Sequence, residues 1–171
     1  VKETYAFEFA LIFIIALIAF LFFNLGLIIG QGFKIFMGDA GSTFLGLGIS
    51  WALVSFSQGD NLIFSPVTAL WIFSVPLIDT IFVMSRRVVN GKSPFEPDRK
   101  HLHHFFIQSG RTDRETLFII VSFSIVMALI GVLMEVNEVN EAFMFLFFLT
   151  ISFTYYFGLR HAWGLLNVSK E

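Results

Sequence analysis

Residues 6–29 read AFEFALIFIIALIAFLFFNLGLII, with Glu8 as the only charged position. A bilayer core about 30 Å thick is crossed by roughly 20 apolar residues in a helix, so this stretch is long enough to span. Four further stretches qualify or come close, at residues 41–57, 62–84, 116–135 and 142–160. The second is short and rich in glycine. Lipid offers no hydrogen bonds, so each spanning segment has to satisfy its backbone internally as a helix. None of the stretches alternates apolar and polar residues with period two, which argues against a transmembrane β-barrel. The expectation is an all-α, polytopic transmembrane bundle of about five spanning helices with polar cytoplasmic loops.

Composition agrees. Of the 171 residues 56% are hydrophobic and 18% aromatic, and the mean hydropathy is +0.79. Only 14% are charged, against about 25% in ordinary soluble domains. A soluble chain of this size would leave much of that apolar surface in water. Phenylalanine alone occurs 24 times, which suits a surface that faces lipid. Cysteine is absent, which excludes disulfides and thiolate metal sites.

The loops differ in charge. Residues 85–115 carry Arg86, Arg87, Lys92, Arg99, Lys100, Arg111 and Arg114, most of the chain's 11 basic residues. The positive-inside rule makes this loop cytoplasmic. Alternating five spans then puts Lys34, Arg160 and Lys170 on the same side and leaves only Lys2 outside. Under that topology residues 38–42, residues 98–104 and Asp79, near the cytoplasmic end of the third span, share one membrane face.

Those are also the residues able to carry chemistry. Phe36-Met37-Gly38-Asp39-Ala40-Gly41-Ser42 runs straight into an apolar stretch. Gly38 and Gly41 allow close backbone approach, and a helix N-terminus offers N–H groups to an anion. Mg²⁺ is typically held by one or two carboxylates plus substrate phosphate oxygens, a role open to Asp39. The plainer alternative is that Asp39 or Ser42 only caps the helix. His101-Leu102-His103-His104 gathers three of the four histidines beside Arg99 and Lys100. Zinc is one reading, but the spacing is not the usual pair four apart on a helix, and no cysteine is near. Histidines among cations suit phosphate oxygens better, and the plain alternative is a basic loop that only sets topology. Upstream, Pro94 and Pro97 prevent a helix and stiffen the loop. Asp79 is an intramembrane acid and so a functional candidate by default. It serves equally to bond a neighbouring helix or pair with an arginine. Gly26 and Gly30 have small-xxx-small spacing and read as helix packing, and His161 reads as an interfacial residue.

Physics thus reaches a Mg²⁺-and-phosphate site on a helical bundle. At that point the sequence resembles the polyprenyl-phosphate N-acetylhexosamine-1-phosphate transferases. Residues 36–42 look like that family's Mg²⁺-binding loop, and residues 93–104 like its histidine-rich cytoplasmic loop. Pro76-Leu77-Ile78-Asp79 with Arg86-Arg87, and Gly158-Leu159-Arg160-His161-Ala162-Trp163, point to the type that handles undecaprenyl phosphate and N-acetylglucosamine. The resemblance implies transfer of N-acetylglucosamine 1-phosphate from UDP-N-acetylglucosamine to undecaprenyl phosphate with release of UMP. This would be the first membrane step of O-antigen or enterobacterial common antigen synthesis, in a bacterial inner membrane. It implies Asp39 as a ligand of Mg²⁺, with Mn²⁺ as the alternative ion. Asp39, His101, His103 and His104 are the implied catalytic set, and Arg99, Asp98, Gly38, Gly41, Ser42 and Asp79 the implied substrate contacts. The implied partners are the lipid phosphate, the UDP-sugar and the bilayer, with a homodimer open and no nucleic acid. Family members have more spans and an early aspartate-rich motif, which is absent here. The chain therefore reads as the C-terminal part, residues 1–171, of a single integral-membrane transferase domain. Two alternatives stand beside it: the same chemistry on another UDP-sugar, and a metal-ion transporter with a histidine-rich cytoplasmic loop.

Overall fold

The computed structural model describes residues 2–24, 35–59, 62–96 and 101–168. Among them it has seven helices and no strand: α1 Lys2–Asn24, α2 Gly38–Phe56, α3 Pro66–Ile72, α4 Ser74–Val89, α5 Leu102–Gln108, α6 Asp113–Val136 and α7 Glu141–Val168. The protein is all-α. Helices α1, α6 and α7 are long and apolar enough to cross a membrane, and α3 with α4 makes a fourth if the bent pair counts as one span. Every stretch expected to span carries helix. However, α2, with four glycines and Asp39 in 19 residues, does not reach that standard of length and apolarity.

The chain forms two compact units, residues 1–66 and 67–171. In the first, α1 and α2 meet through aromatic rings. Phe9 stacks on Phe13 at 4.5 Å and lies 5.2 Å from Trp51. Gly48 makes this approach feasible, since a Cβ there would fall 2.3 Å from the ring of Phe13. No residue of α2 is buried, as expected of a surface solvated by lipid.

The second unit holds the core. Trp71, Phe82, Met127 and Met144 are fully buried, with Phe148, Leu159 and Trp163 packed around them. The third expected span is not one straight helix. It is broken into α3 and α4, bent by 80° about Phe73. The cause is Pro76, in the first turn of α4. It has no N–H to offer the carbonyl of Ile72, and its ring crowds that carbonyl. Pro66 does no such harm, because it sits at the first position of α3, where no donor is required. The short α3 is secured by other means. Thr68 donates its hydroxyl to Glu135 Oε2 at 2.5 Å, and Trp71 Nε1 donates to the carbonyl of Met144 at 3.3 Å.

Helix ends follow local chemistry. Thr112 and Glu115 form a capping box at the start of α6, and Asn140 Oδ1 accepts the N–H of Ala142 at the start of α7. α4 and α5 stop in Schellman motifs. The N–H groups of Lys92 and Gly91 reach the carbonyls of Arg87 and Val88, and those of Arg111 and Gly110 reach Phe106 and Ile107. Gly91 and Gly110 supply the positive φ that each motif needs, +71° and +88°.

Gly131 faces Trp71 so closely that an added Cβ would lie 2.2 Å from the tryptophan Cβ, an atom with little freedom to retreat. Gly131→Ala is expected to destabilise the second unit by about 1–3 kcal/mol through overpacking. The check is a detergent-solubilised thermal melt; an unshifted midpoint would show that α3 has slack against α6.

Candidate functional site

The first unit contributes residues 38–42. They lie inside the first turn of α2, not in a loop ahead of it. Gly38 opens that turn at φ +69°, a conformation that favours glycine. The capping reading does not hold. Met37 occupies the N-cap position without a side-chain cap hydrogen bond, and the Ser42 hydroxyl donates backwards to the carbonyl of Asp39 at 3.0 Å. Asp39 is exposed and lies where the helix dipole favours a negative charge. Gly41 sits over Met37, whose Cγ a Cβ would meet at 2.6 Å.

The second unit contributes Asp79 and the histidines. α4 carries Asp79 one turn beyond Pro76, and α5 begins immediately after His101. The Asp79 carboxylate faces the start of α5. Its Oδ1 accepts the backbone N–H of Leu102 at 2.9 Å, and its Oδ2 lies 3.0 Å from His101 Nδ1. Tyr155 of α7 donates its hydroxyl to Oδ1 at 3.3 Å. Asp79 thus caps α5 from another helix and bonds its neighbours, one of the two plain readings of an intramembrane acid. α5 is seated by the buried Leu102 and by Phe105, whose ring meets buried Trp163 edge-on at 5.6 Å.

The three histidine rings stay together. The rings of His101 and His103 are nearly parallel and stacked with centroids 6.0 Å apart, and those of His103 and His104 lie 4.0 Å apart. Burial lowers the pKa of His103 below the ordinary histidine value, and the neighbouring His104 and His101 add to this, with Asp79 opposing. Upstream the chain is held by the Arg87 guanidinium, which donates to the carbonyl of Pro94, and by a Lys92–Glu96 ion pair at 3.0 Å. Residues 93–96 form a turn around Pro94, in which the N–H of Glu96 reaches the carbonyl of Ser93 at 3.1 Å. Asp98, Arg99, Gly26 and Gly30 lie outside the described residues.

Among the described residues no three His, Asp or Glu side chains converge to hold a metal ion. Asp39, as a single exposed carboxylate, fits a Mg²⁺ whose other ligands come from phosphate and water. Tyr155 is the site residue that sequence reading missed. A signal existed: Tyr155 and Tyr156 interrupt a run of phenylalanines, and a tyrosine hydroxyl in an apolar segment needs a partner.

Known proteins give a consistent picture. Residues 1–57 match the model of glycosyl transferase family 4. The chain is 46% identical, over 152 residues, to the undecaprenyl-phosphate alpha-N-acetylglucosaminyl 1-phosphate transferase of Haemophilus influenzae, covering 89% of this chain and 43% of that protein. The proteins of the same name from Pasteurella multocida and Escherichia coli K12 are 45% and 42% identical, covering 89% and 92% of this chain. The chain spans 43% of the length of each of these relatives. No solved structure matches it. The chain is therefore similar to these transferases along most of its own length, and its first third matches the glycosyl transferase family 4 model.

Proposed function

We propose that the whole protein carrying this chain transfers N-acetylglucosamine 1-phosphate from UDP-N-acetylglucosamine to undecaprenyl phosphate, releasing UMP. The observation that carries this reading is the 46% identity to a transferase of that name over 89% of the chain. A cluster of three histidines, of which His101 is held by Asp79, supports it, because it offers N–H donors and switchable positive charge to phosphate oxygens. The relatives' names favour this chemistry over a metal-ion transporter.

In this reading an oxygen of the lipid phosphate attacks the sugar-linked phosphorus, and the bond from that phosphorus to UMP breaks. The second pKa of a phosphate monoester is about 6, so the attacking group is largely ionised at neutral pH and needs little help from a base. Mg²⁺, when bound, neutralises charge on the diphosphate and the departing UMP. Asp39 supplies one carboxylate ligand to that ion. His101, His103 and His104, with Arg99, hold the diphosphate and stabilise the negative charge that builds on it. Their loop faces the cytoplasm of a bacterial cell, where the nucleotide sugar is made, and the product lipid serves envelope polysaccharide synthesis. The chain spans 43% of the relatives' length, and this reading expects activity from the whole protein and none from the chain by itself.

The deciding assay follows radiolabelled UMP into UDP-N-acetylglucosamine in membranes containing the whole protein. Mg²⁺-dependent exchange is expected, falling at least about 100-fold in Asp39→Asn, and none from the purified 171-residue chain. Full exchange in Asp39→Asn would remove the metal role from α2. Absence of exchange with this nucleotide alone would move the assignment to another UDP-sugar.

A pH dependence follows from His103. With its pKa held below 6.5 in the free protein, it is neutral at neutral pH, and a bound diphosphate favours its protonated form. Binding therefore takes up a proton, and affinity strengthens as pH falls toward 6.5 and below. The KM for UDP-N-acetylglucosamine is expected to decrease over that interval and to lose much of this slope in His103→Ala. An identical slope in the variant would assign the proton to another group.

A further inference from the structure

One carboxylate in the second unit meets donors from three directions. Asp79 lies on α4, and the groups that reach it are Leu102 N–H and His101 Nδ1 at the start of α5 and the Tyr155 hydroxyl on α7. An ionised carboxylate only accepts hydrogen bonds, so each approaching atom has to bring a hydrogen. The backbone N–H of Leu102 always does. Tyr155 does so by rotating its O–H. His101 does so only if the proton is on Nδ1, because a neutral imidazole has one N–H and the other nitrogen carries a lone pair.

This assigns the two nitrogens of His101 different work. In the neutral ring Nδ1 is protonated toward Asp79 and Nε2 is bare; in the charged ring the second proton is on Nε2. Either way Nε2 is the nitrogen whose proton comes and goes. The side chain of Asp79 is only 16% exposed, whereas that of His101 is 33% exposed, so the imidazole keeps an open side. Apart from Asp79 and Tyr155, the titratable neighbour facing it among the described residues is His103, stacked 6.0 Å away on α5.

The aromatic packing makes this arrangement stiff. The Tyr155 ring is met edge-on by buried Phe82 of α4 at 6.2 Å, so its hydroxyl is aimed from a fixed base. Leu102, next to His101, is itself buried. The carboxylate cannot leave without stranding the first N–H of α5, a loss larger than that of an ordinary surface contact.

We propose that Asp79, steadied by Tyr155, is the positioning residue for His101: it holds one imidazole proton on Nδ1, so that the second proton of the charged ring lies on Nε2 and is donated to the substrate's phosphate. This rests on the reading of the histidine cluster as the substrate's contact, and it removes Asp79 from the substrate-binding set. Tyr155 joins the site as a residue that touches no substrate.

The test uses the whole protein in nanodiscs with ¹⁵N-labelled histidine, and the His101 signals are assigned by their loss in His101→Gln. At a pH where imidazole is neutral, the wild type is expected to show Nδ1 protonated and Nε2 bare. In Asp79→Asn the side-chain amide puts a donor where an acceptor stood, so the proton is expected to move to Nε2. Turnover should fall by about 10–100-fold, the range for losing the partner that orients a working histidine. KM should change by less than about threefold, since binding contacts remain. Tyr155→Phe keeps the ring packing and loses one hydrogen bond, so a drop of about threefold to tenfold with a mixed tautomer is expected. This milder variant decides the matter if Asp79→Asn does not fold. A wild-type His101 bare at Nδ1, or an unmoved tautomer in both variants, overturns the proposal. So does a moved tautomer with turnover unchanged. Wild-type turnover in His101→Gln would instead overturn the reading of the histidines as the substrate's contact, and the tautomer result would stand apart from it.

Discussion

Pro76 cannot donate a backbone hydrogen bond, and the second unit is arranged around that missing N–H. In water a broken helical turn is repaired by solvent, but lipid makes no such repair. The chain bends by 80° at Phe73, and the short α3 is left needing partners of its own. It finds them in Glu135, in the carbonyl of Met144 and in the space beside Gly131. α4 then starts afresh, and Asp79 falls one turn into it. A straight helix through residues 62–84 would aim that carboxylate elsewhere, and α5 would lose the acceptor for its first N–H.

What could be read from sequence was whatever depended on neighbours in the chain. Runs of apolar residues announced helices in all five stretches, because backbone satisfaction in lipid leaves no other choice. Pro94 announced a helix-free turn, and residues 93–96 form one. The histidines announced a cluster by adjacency alone. What escaped depended on distance along the chain. Tyr155 and Asp79 are 76 residues apart and Leu102 and Asp79 are 23 apart, and no local pattern joins them. Pro76 was in plain view, but whether a proline kinks a helix or ends it depends on what can catch the freed half.

The motif at residues 38–42 misled in a smaller way. Asp and Ser before an apolar run suggest an N-cap, and the difference between cap and first turn is one or two residues. Gly38 at φ +69° starts the helix early enough that Met37 takes the cap position. Asp39 then lies inside the first turn and not at the cap. A residue whose chemistry suits a cap is thereby left open for a different ligand.

The two aspartates show how environment, and not residue type, divides labour. Both carboxylates carry the same charge and the same lone pairs. Asp79 is largely enclosed and its oxygens serve a backbone amide, an imidazole and a phenol, so a metal ion there would have to displace bonds that hold α5 in place. Asp39 is exposed, and its charge is favoured by the helix dipole. A cation that arrives already bound to phosphate needs one or two open carboxylates and few rigid partners. Of the two acids, only Asp39 meets that condition, and Asp79 is committed to holding His101 and the start of α5 in place.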